Sequence, residues 1–569
     1  MAAELGKWTM MLDGTSLPER ARVGGKAWSI ARMRTLGLPV PPAFAVTTDA
    51  CRAFLKDGAL PPELGDELAR GVTMLEAATG RGFGATQRPL LVAVRSGSAV
   101  SMPGMMDTVL NLGMTDAAEA ALGEETRDTK FAADTHRRFR EMYGRIVLRA
   151  PAATGAEEIP ISPHEQLAAA VRAVFESWNS RRAKRYRRHH DIPDDMGTAV
   201  TVQAMVFGNL GETSGSGVLF SRNPLTGAPE PFGEYLATAQ GEDVVSGTIT
   251  PLALDALRDD MPGIHEQLLS AATLLEAENG DVQDIEFTIQ RGELFLLQSR
   301  AAKRAPAAAL RIAVDMAHED TISRAEAVSR VNAEQVRTLL CPRLLPGAAE
   351  AAELLAKGEA ACQGVGVGHV VLDADAAEVE AAKGRDVILV RPTTSPEDVH
   401  GMLVARAVVT ASGGATSHAA VVSRALGLPC VVGCGEGVLH GHDGAEVTVD
   451  GAAGAVYRGV LAVDTPDERD DPTLSELAAW AGEVSPLAVF RHGEQPEENI
   501  LDLDHVPGGE MVENLPELLK NTKAACGGAL HSDAGVEAAV RAGLDFIVLP
   551  QTVPALLAAC AAAREIERM

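Results

Sequence analysis

The chain has 569 residues, with 51 Lys+Arg against 78 Asp+Glu and a net charge of −27. A field that negative repels phosphate backbones and excludes general nucleic-acid binding as a starting expectation. Hydrophobic residues at 46% and charged residues at 23% are globular proportions and exclude a disordered chain. At about 150 residues per domain, the length predicts three to four domains. Aromatics are only 4%, so the cores pack small side chains, as α/β folds often do. The seven scattered cysteines form no disulfide framework and point to a reducing cytoplasm. Met1 to Ser16 lacks the basic start and apolar core of a leader, and no run of about 18 apolar residues occurs. A signal peptide and a membrane span are therefore not expected.

In chain order, Gly24-Gly25-Lys26 is the first signal. Glycines let a backbone approach phosphates and the lysine supplies a point charge, although a surface-loop lysine has the same pattern. Pro89-Leu-Leu-Val-Ala-Val94, Ala199-Val-Thr-Val202 and Leu294-Phe-Leu-Leu297 read as short strands separated by Gly-rich turns and helices. Arg181 to His190 is locally basic and carries no assignable chemistry. Gly211-Glu-Thr-Ser-Gly-Ser-Gly217 is a Gly-rich loop suited to covering phosphates, or an ordinary turn. Asp284 and Glu286 alternate on a strand and so face the same side. Two such carboxylates repel unless a cation such as Mg²⁺ lies between them, although two solvated carboxylates have the same pattern. No Gly-x-x-x-x-Gly-Lys-Ser/Thr loop occurs.

Residues 305–355 are Ala-rich with helical periodicity, punctuated by Pro306, Pro342 and Pro346, and predict a linker with a helical pair. Residues 356–463 alternate strands and helices, a compact α/β domain. Within it, a strand ends at Thr410, Gly413 and Gly414 make a loop, and Thr416 or Ser417 caps a helix that stops at Gly427. His418 then lies in the first helical turn. The helix dipole disfavours imidazolium there, keeps a ring nitrogen free as nucleophile, and would stabilise an attached phosphate. On residues alone, a capping-region histidine without a task fits as well. Cys430 and Cys434 lack a second ligand pair, and His440-Gly-His442 reads as an exposed turn. The stretch Asp464 to Asp471 reads as a second linker. The acidic remainder begins with a helix, Leu474 to Val484, and ends in strand Asp545 to Leu549 and helix Val553 to Ile566.

The segment Thr410-Ala-Ser-Gly-Gly-Ala-Thr-Ser-His418-Ala-Ala-Val-Val-Ser-Arg closely resembles the phosphohistidine motif of the pyruvate phosphate dikinase and phosphoenolpyruvate synthase superfamily. The likeness extends upstream through Val387-Ile-Leu-Val-Arg391-Pro-Thr-Thr-Ser395-Pro-Glu-Asp398. Gly24 to Ala27, Val94-Arg95 to Asn111, Gly211 to Gly227, Gln240 to Gly247, Asp284-Ile-Glu286 and Leu297-Gln298-Ser-Arg300 are similar to the family's nucleotide-binding segments, and Val94 to Asn111 is nearly the dikinase version.

The resemblance implies a multidomain α/β fold. Residues 1–304 would be an ATP-grasp-type nucleotide-binding domain, 305–355 a helical linker, and 356–463 a swivelling phosphohistidine domain. Residues 464–569 would be a contracted remnant of the family's phosphoenolpyruvate/pyruvate-binding (β/α)₈ barrel, which needs roughly 250 residues. It implies His418 as catalytic residue, supported by Gly413, Gly414, Thr416 and Ser417. Lys26, Arg95, Asp284, Glu286, Gln298 and Arg300 would bind ATP, with Glu286 and Gln298 holding Mg²⁺. Inorganic phosphate would take the γ-phosphate, releasing AMP and pyrophosphate, and the phosphohistidine would serve pyruvate or another acceptor held by a separate partner protein. A different small molecule bound by the C-terminal region, or an inactive regulatory homologue, are the rival expectations. No nucleic acid and no membrane are expected, and the setting is cytoplasmic. In the barrel-like stretches, Phe490 stands at the family's arginine position with Arg491 displaced by one, and Leu549 stands where its acid cysteine would be.

Overall fold

The computed structural model describes residues 5–100, 102, 105–149, 159–245, 251–340, 343–345, 347–426, 428–437, 439, 441–464, 466–496, 499–509 and 511–568. Met1 at the N-terminus, Gly247, Pro342, Pro346, Gly427 and His440 lie outside them. The architecture is mixed α/β with several sheets. No described helix is long and apolar enough to cross a membrane.

Two five-stranded antiparallel sheets make the first body. In spatial order one runs Thr9–Met11, Ala43–Val46, Ala199–Ala204, Val92–Gly97 and Thr108–Leu112. The other runs Leu252–Ala253, Phe232–Ala237, Gly215–Phe220, Gln283–Gln290 and Glu293–Ala301. The expected strand from Pro89 to Val94 is two short pieces, Pro89–Leu90 and Val92–Gly97. Strands Ala199–Ala204 and Gly215–Phe220 are buried at every position. In the latter the side-chain space at Gly215 and Gly217 is filled by the rings of Tyr235 and Phe287. Part of the glycine run read as a phosphate loop is thus a packing device inside a central strand.

Residues expected as a linker with a helical pair form three helices, Pro306–His318, Arg324–Arg330 and Ala333–Leu339. Their apolar faces are not solvated. Leu310, Val314 and Val336 share one core with Leu477, Trp480 and Leu557 of the C-terminal segment. That segment adds four short parallel strands in the order Ala488–Phe490, Phe546–Val548, Ala524–Cys526 and Leu501–Asp502. Between these regions lies an eight-stranded mixed sheet drawn from residues 354–458. The chain enters and leaves that body side by side, because Arg343–Leu344 pairs antiparallel with Val463–Asp464.

Candidate active site

Helix Arg20–Thr35 is kinked open at its start by Gly24, with φ of 76°. A Cβ there would collide with the Gly97 carbonyl, and the Gly25 N–H donates to Ser98 O at 2.9 Å. The two glycines thereby seat Lys26 against the end of strand Val92–Gly97, which carries Arg95. The opposing sheet presents Glu286 and Gln298 as direct cross-strand partners, and Asp284 and Arg300 as the next such pair. Arg95 Nη2 donates to Glu286 Oε2 at 2.7 Å and reaches Gln298 Oε1 at 3.5 Å. Arg300 Nε donates to Asp284 Oδ2 at 2.8 Å. Each of the two carboxylates thus has its own guanidinium in this state.

A cavity of about 1060 Å³ lies between the sheets. Lys26, Arg95, Glu286, Gln298, Arg300, Thr416 and His418 line it. Asp284 does not line it; buried behind Arg300, it fixes that side chain. Gly413, Gly414 and Ser417 lie in the loop behind His418, and the Gly211–Gly217 loop is elsewhere. Burial pushes the Lys26 ammonium down to about 7, assisted by Arg95. Burial works to raise Glu286, but Arg95, Arg300 and Lys26 outweigh it and hold that carboxyl below its ordinary range. Burial raises Asp284. Glu286 and Gln298 offer two oxygen donors side by side at the cavity wall, a set that fits a hard cation such as Mg²⁺.

His418 opens helix His418–Leu426. Ser417 is the residue that caps it, since its Oγ accepts from Ala420 N at 3.5 Å. Thr416 instead donates its hydroxyl to Glu234 Oε2 of the first body. A Cβ on Gly414 would stand 2.7 Å from Glu234 Oε1, so a larger residue would push that carboxylate aside. The side chain is half-buried, and this desolvation pushes its value down to about 4. Its Nδ1 is 3.1 Å from Thr394 Oγ1, and its Nε2 is buried without a hydrogen-bond partner among the described residues. Arg391 and Asp398, 2.9 Å apart, brace the Thr394 loop.

Sequence reasoning missed three contributions. Thr394 lay inside a quoted motif without a role. Glu234 had no local signal, because its partner is 182 residues away. The basic helix Arg181–His189 holds Arg187 fully buried over the Trp178 ring at 4.2 Å, and Arg182 and Arg185 reach Glu397 at 3.7 Å and Glu378 at 3.3 Å. With Glu234, those two ion pairs seat the eight-stranded body on the first one and bring His418 to the cavity.

Comparison with known proteins agrees with this geometry. Residues 20–72 and 59–264 match the family described as pyruvate phosphate dikinase, AMP/ATP-binding domain, and residues 383–454 match PEP-utilising enzyme, mobile domain. The chain is 40% identical to pyruvate, phosphate dikinase of Clostridium symbiosum, covering 87% of this chain and 63% of the relative. It is 41% identical to pyruvate, phosphate dikinase of Rhizobium meliloti (85% and 60%) and to pyruvate, phosphate dikinase 2 of Zea mays (84% and 60%). The chain spans about three fifths of the length of these relatives. It belongs to the pyruvate phosphate dikinase family.

Proposed function

We propose that the chain is an ATP-dependent phosphotransferase of the pyruvate phosphate dikinase type that forms a phosphohistidine on His418. One observation carries this reading: a neutral histidine whose Nε2 has no partner among the described residues lines the same cavity as Lys26, Arg95, Arg300, Glu286 and Gln298. The paired sheets of residues 1–304 act as an ATP-grasp-type nucleotide domain, and residues 356–463 as the body that swivels between stations. Residues 305–355 supply the linking helices, and 464–569 stand as a contracted barrel remnant.

Lys26, Arg95 and Arg300 carry the phosphate charge. Arg95 exchanges Glu286 for a phosphate oxygen, which frees Glu286 and Gln298 to hold Mg²⁺. Held there, that ion would offset the charge of the phosphate oxygens. For Nε2 to be the nucleophile, Nδ1 carries the proton and donates to Thr394 Oγ1. The Nε2 lone pair attacks the β-phosphorus, and the bond to the α-phosphate oxygen breaks, leaving AMP. Inorganic phosphate accepts the γ-phosphoryl group, so pyrophosphate leaves with AMP. Pyruvate or another acceptor, held by a partner protein, then receives the phosphate. Phe490 supports placing the acceptor elsewhere, because it stands where the family has an arginine and packs edge-on against Phe546 at 5.5 Å.

The test is incubation with Mg-ATP labelled at the β or the γ position, with and without phosphate. Label from the β position should appear on protein with AMP release and disappear in His418→Ala. Protein that takes up no label under any condition would show the inactive homologue instead.

A further inference from the structure

The segment between strand Val463–Asp464 and helix Pro472–Val484 joins the swivelling body to the C-terminal one. Its Glu468 is only 5% exposed. Glu468 Oε1 accepts from Thr552 Oγ1 at 2.7 Å and from the Thr552 N–H at 2.9 Å. Its Oε2 accepts from the Val553 N–H at 3.1 Å. Arg491 adds Nη2 at 2.9 Å and Nε at 3.2 Å to Oε1, and grips Asp467 with Nη1 at 3.0 Å and Nη2 at 2.9 Å. Those contacts hold Asp467 well below, and Arg491 above, their ordinary ranges.

Arg491 follows strand Ala488–Phe490, and Thr552 follows its parallel neighbour Phe546–Val548. Both groups therefore stand at the carboxyl ends of adjacent parallel strands, where open parallel sheets bind ligands. A guanidinium fork, a hydroxyl and the first N–H groups of the 16-residue helix Val553–Arg568 converge on one point. A carboxylate already occupies that point, and it belongs to the linker.

We propose that Arg491, Thr552 and the first turn of helix Val553–Arg568 form an anion site held in cis by Glu468, and that a free small carboxylate competes with Glu468 and releases the linker. Release frees residues 466–471, about 20 Å of extended chain at roughly 3.3 Å per residue. That length adds reach to the tethered body. The proposal stands independently of the ATP reading, because its test uses neither ATP nor His418.

Hydrogen exchange on the full chain tests it, at constant ionic strength, with acetate, pyruvate, inorganic phosphate or chloride raised to about 50 mM. That ceiling exceeds the roughly millimolar effective concentration of a tethered competitor. Acetate and pyruvate should speed exchange at 466–471 about tenfold while helix Val553–Arg568 stays protected, and chloride should not. Opening by phosphate alone would overturn the carboxylate assignment, and no opening by any anion would overturn the proposal. Glu468→Gln should exchange fast without added anion and bind pyruvate about tenfold more tightly than the parent by calorimetry, and Arg491→Ala should remove that binding. A folded Glu468→Gln whose linker stays protected would also sink the idea. If that variant unfolds, the titration of the parent chain decides.

Discussion

Two side chains set the chemistry of the cavity. Among the described residues Thr394 makes the one hydrogen bond to the histidine ring, at Nδ1, and by accepting there it would favour the tautomer that leaves the Nε2 lone pair free. A neutral hydrogen bond is worth about 1 kcal/mol net. Thr394→Val should therefore slow phosphohistidine formation about fivefold in single-turnover labelling, with ATP affinity unchanged. Lys26 has a second, pH-linked role. Its folded value of about 7 lies below the unfolded 10.5, so between these pH values the unfolded chain holds a proton that the folded chain lacks. Stability of the free chain should rise with pH across that window. Bound phosphate restores the charged form, so ATP binding should take up a proton above pH 7. Calorimetry in buffers of different ionisation enthalpy measures that uptake, and Lys26→Met should abolish it.

Among elements, the start of helix Arg20–Thr35 depends on a local break that only glycine tolerates. Gly24→Ala adds a Cβ against the Gly97 carbonyl at a positive φ. The cost should be about 1–3 kcal/mol in thermal unfolding, with Lys26 displaced and ATP binding weakened. Other elements show how far local pattern reaches. Helix His418–Leu426 was legible from its Gly-Gly loop and polar cap, because those interactions span a few residues. The helices of 306–339 were legible as helices but not as core, because apolar periodicity shows that a face is buried and not against what. Their partners, Leu477 and Trp480, lie more than a hundred residues away.

Across the whole molecule, the site exists only where the bodies meet. Arg222 ties strand Gly215–Phe220 to Glu276 at 2.8 Å and to the first linking helix through Glu319 at 2.9 Å. Asp281 receives Arg304 at 2.9 Å and Arg330 at 3.3 Å. The linking helices are thus braced against the first body as well as the C-terminal one. The eight-stranded body is held by a shared apolar cluster, in which Met102, Met105 and Trp178 pack with Leu389, Val408 and Ala420, and at its rim by half-exposed pairs such as Arg185 with Glu378. Such pairs contribute about 0–1 kcal/mol each. Arg185→Glu sets like charges face to face and should lower phosphohistidine formation severalfold while leaving ATP binding intact, which labelling and calorimetry on the same sample separate.

By itself the sequence pointed to the residue types that line the cavity: a histidine at a helix start, and a lysine, two arginines and a strand acid opposite it. It could do so because capping, strand alternation and glycine loops are interactions over a few residues. Only the tertiary structure decided that Arg95 pairs with Glu286 across two sheets, that Asp284 stands behind the cavity holding Arg300, and that Glu234 receives Thr416. It likewise decided that the second linker is pinned by Glu468. These are contacts between groups 16 to 191 residues apart, chosen by the packing of whole sheets and bodies, and no short window of sequence contains them.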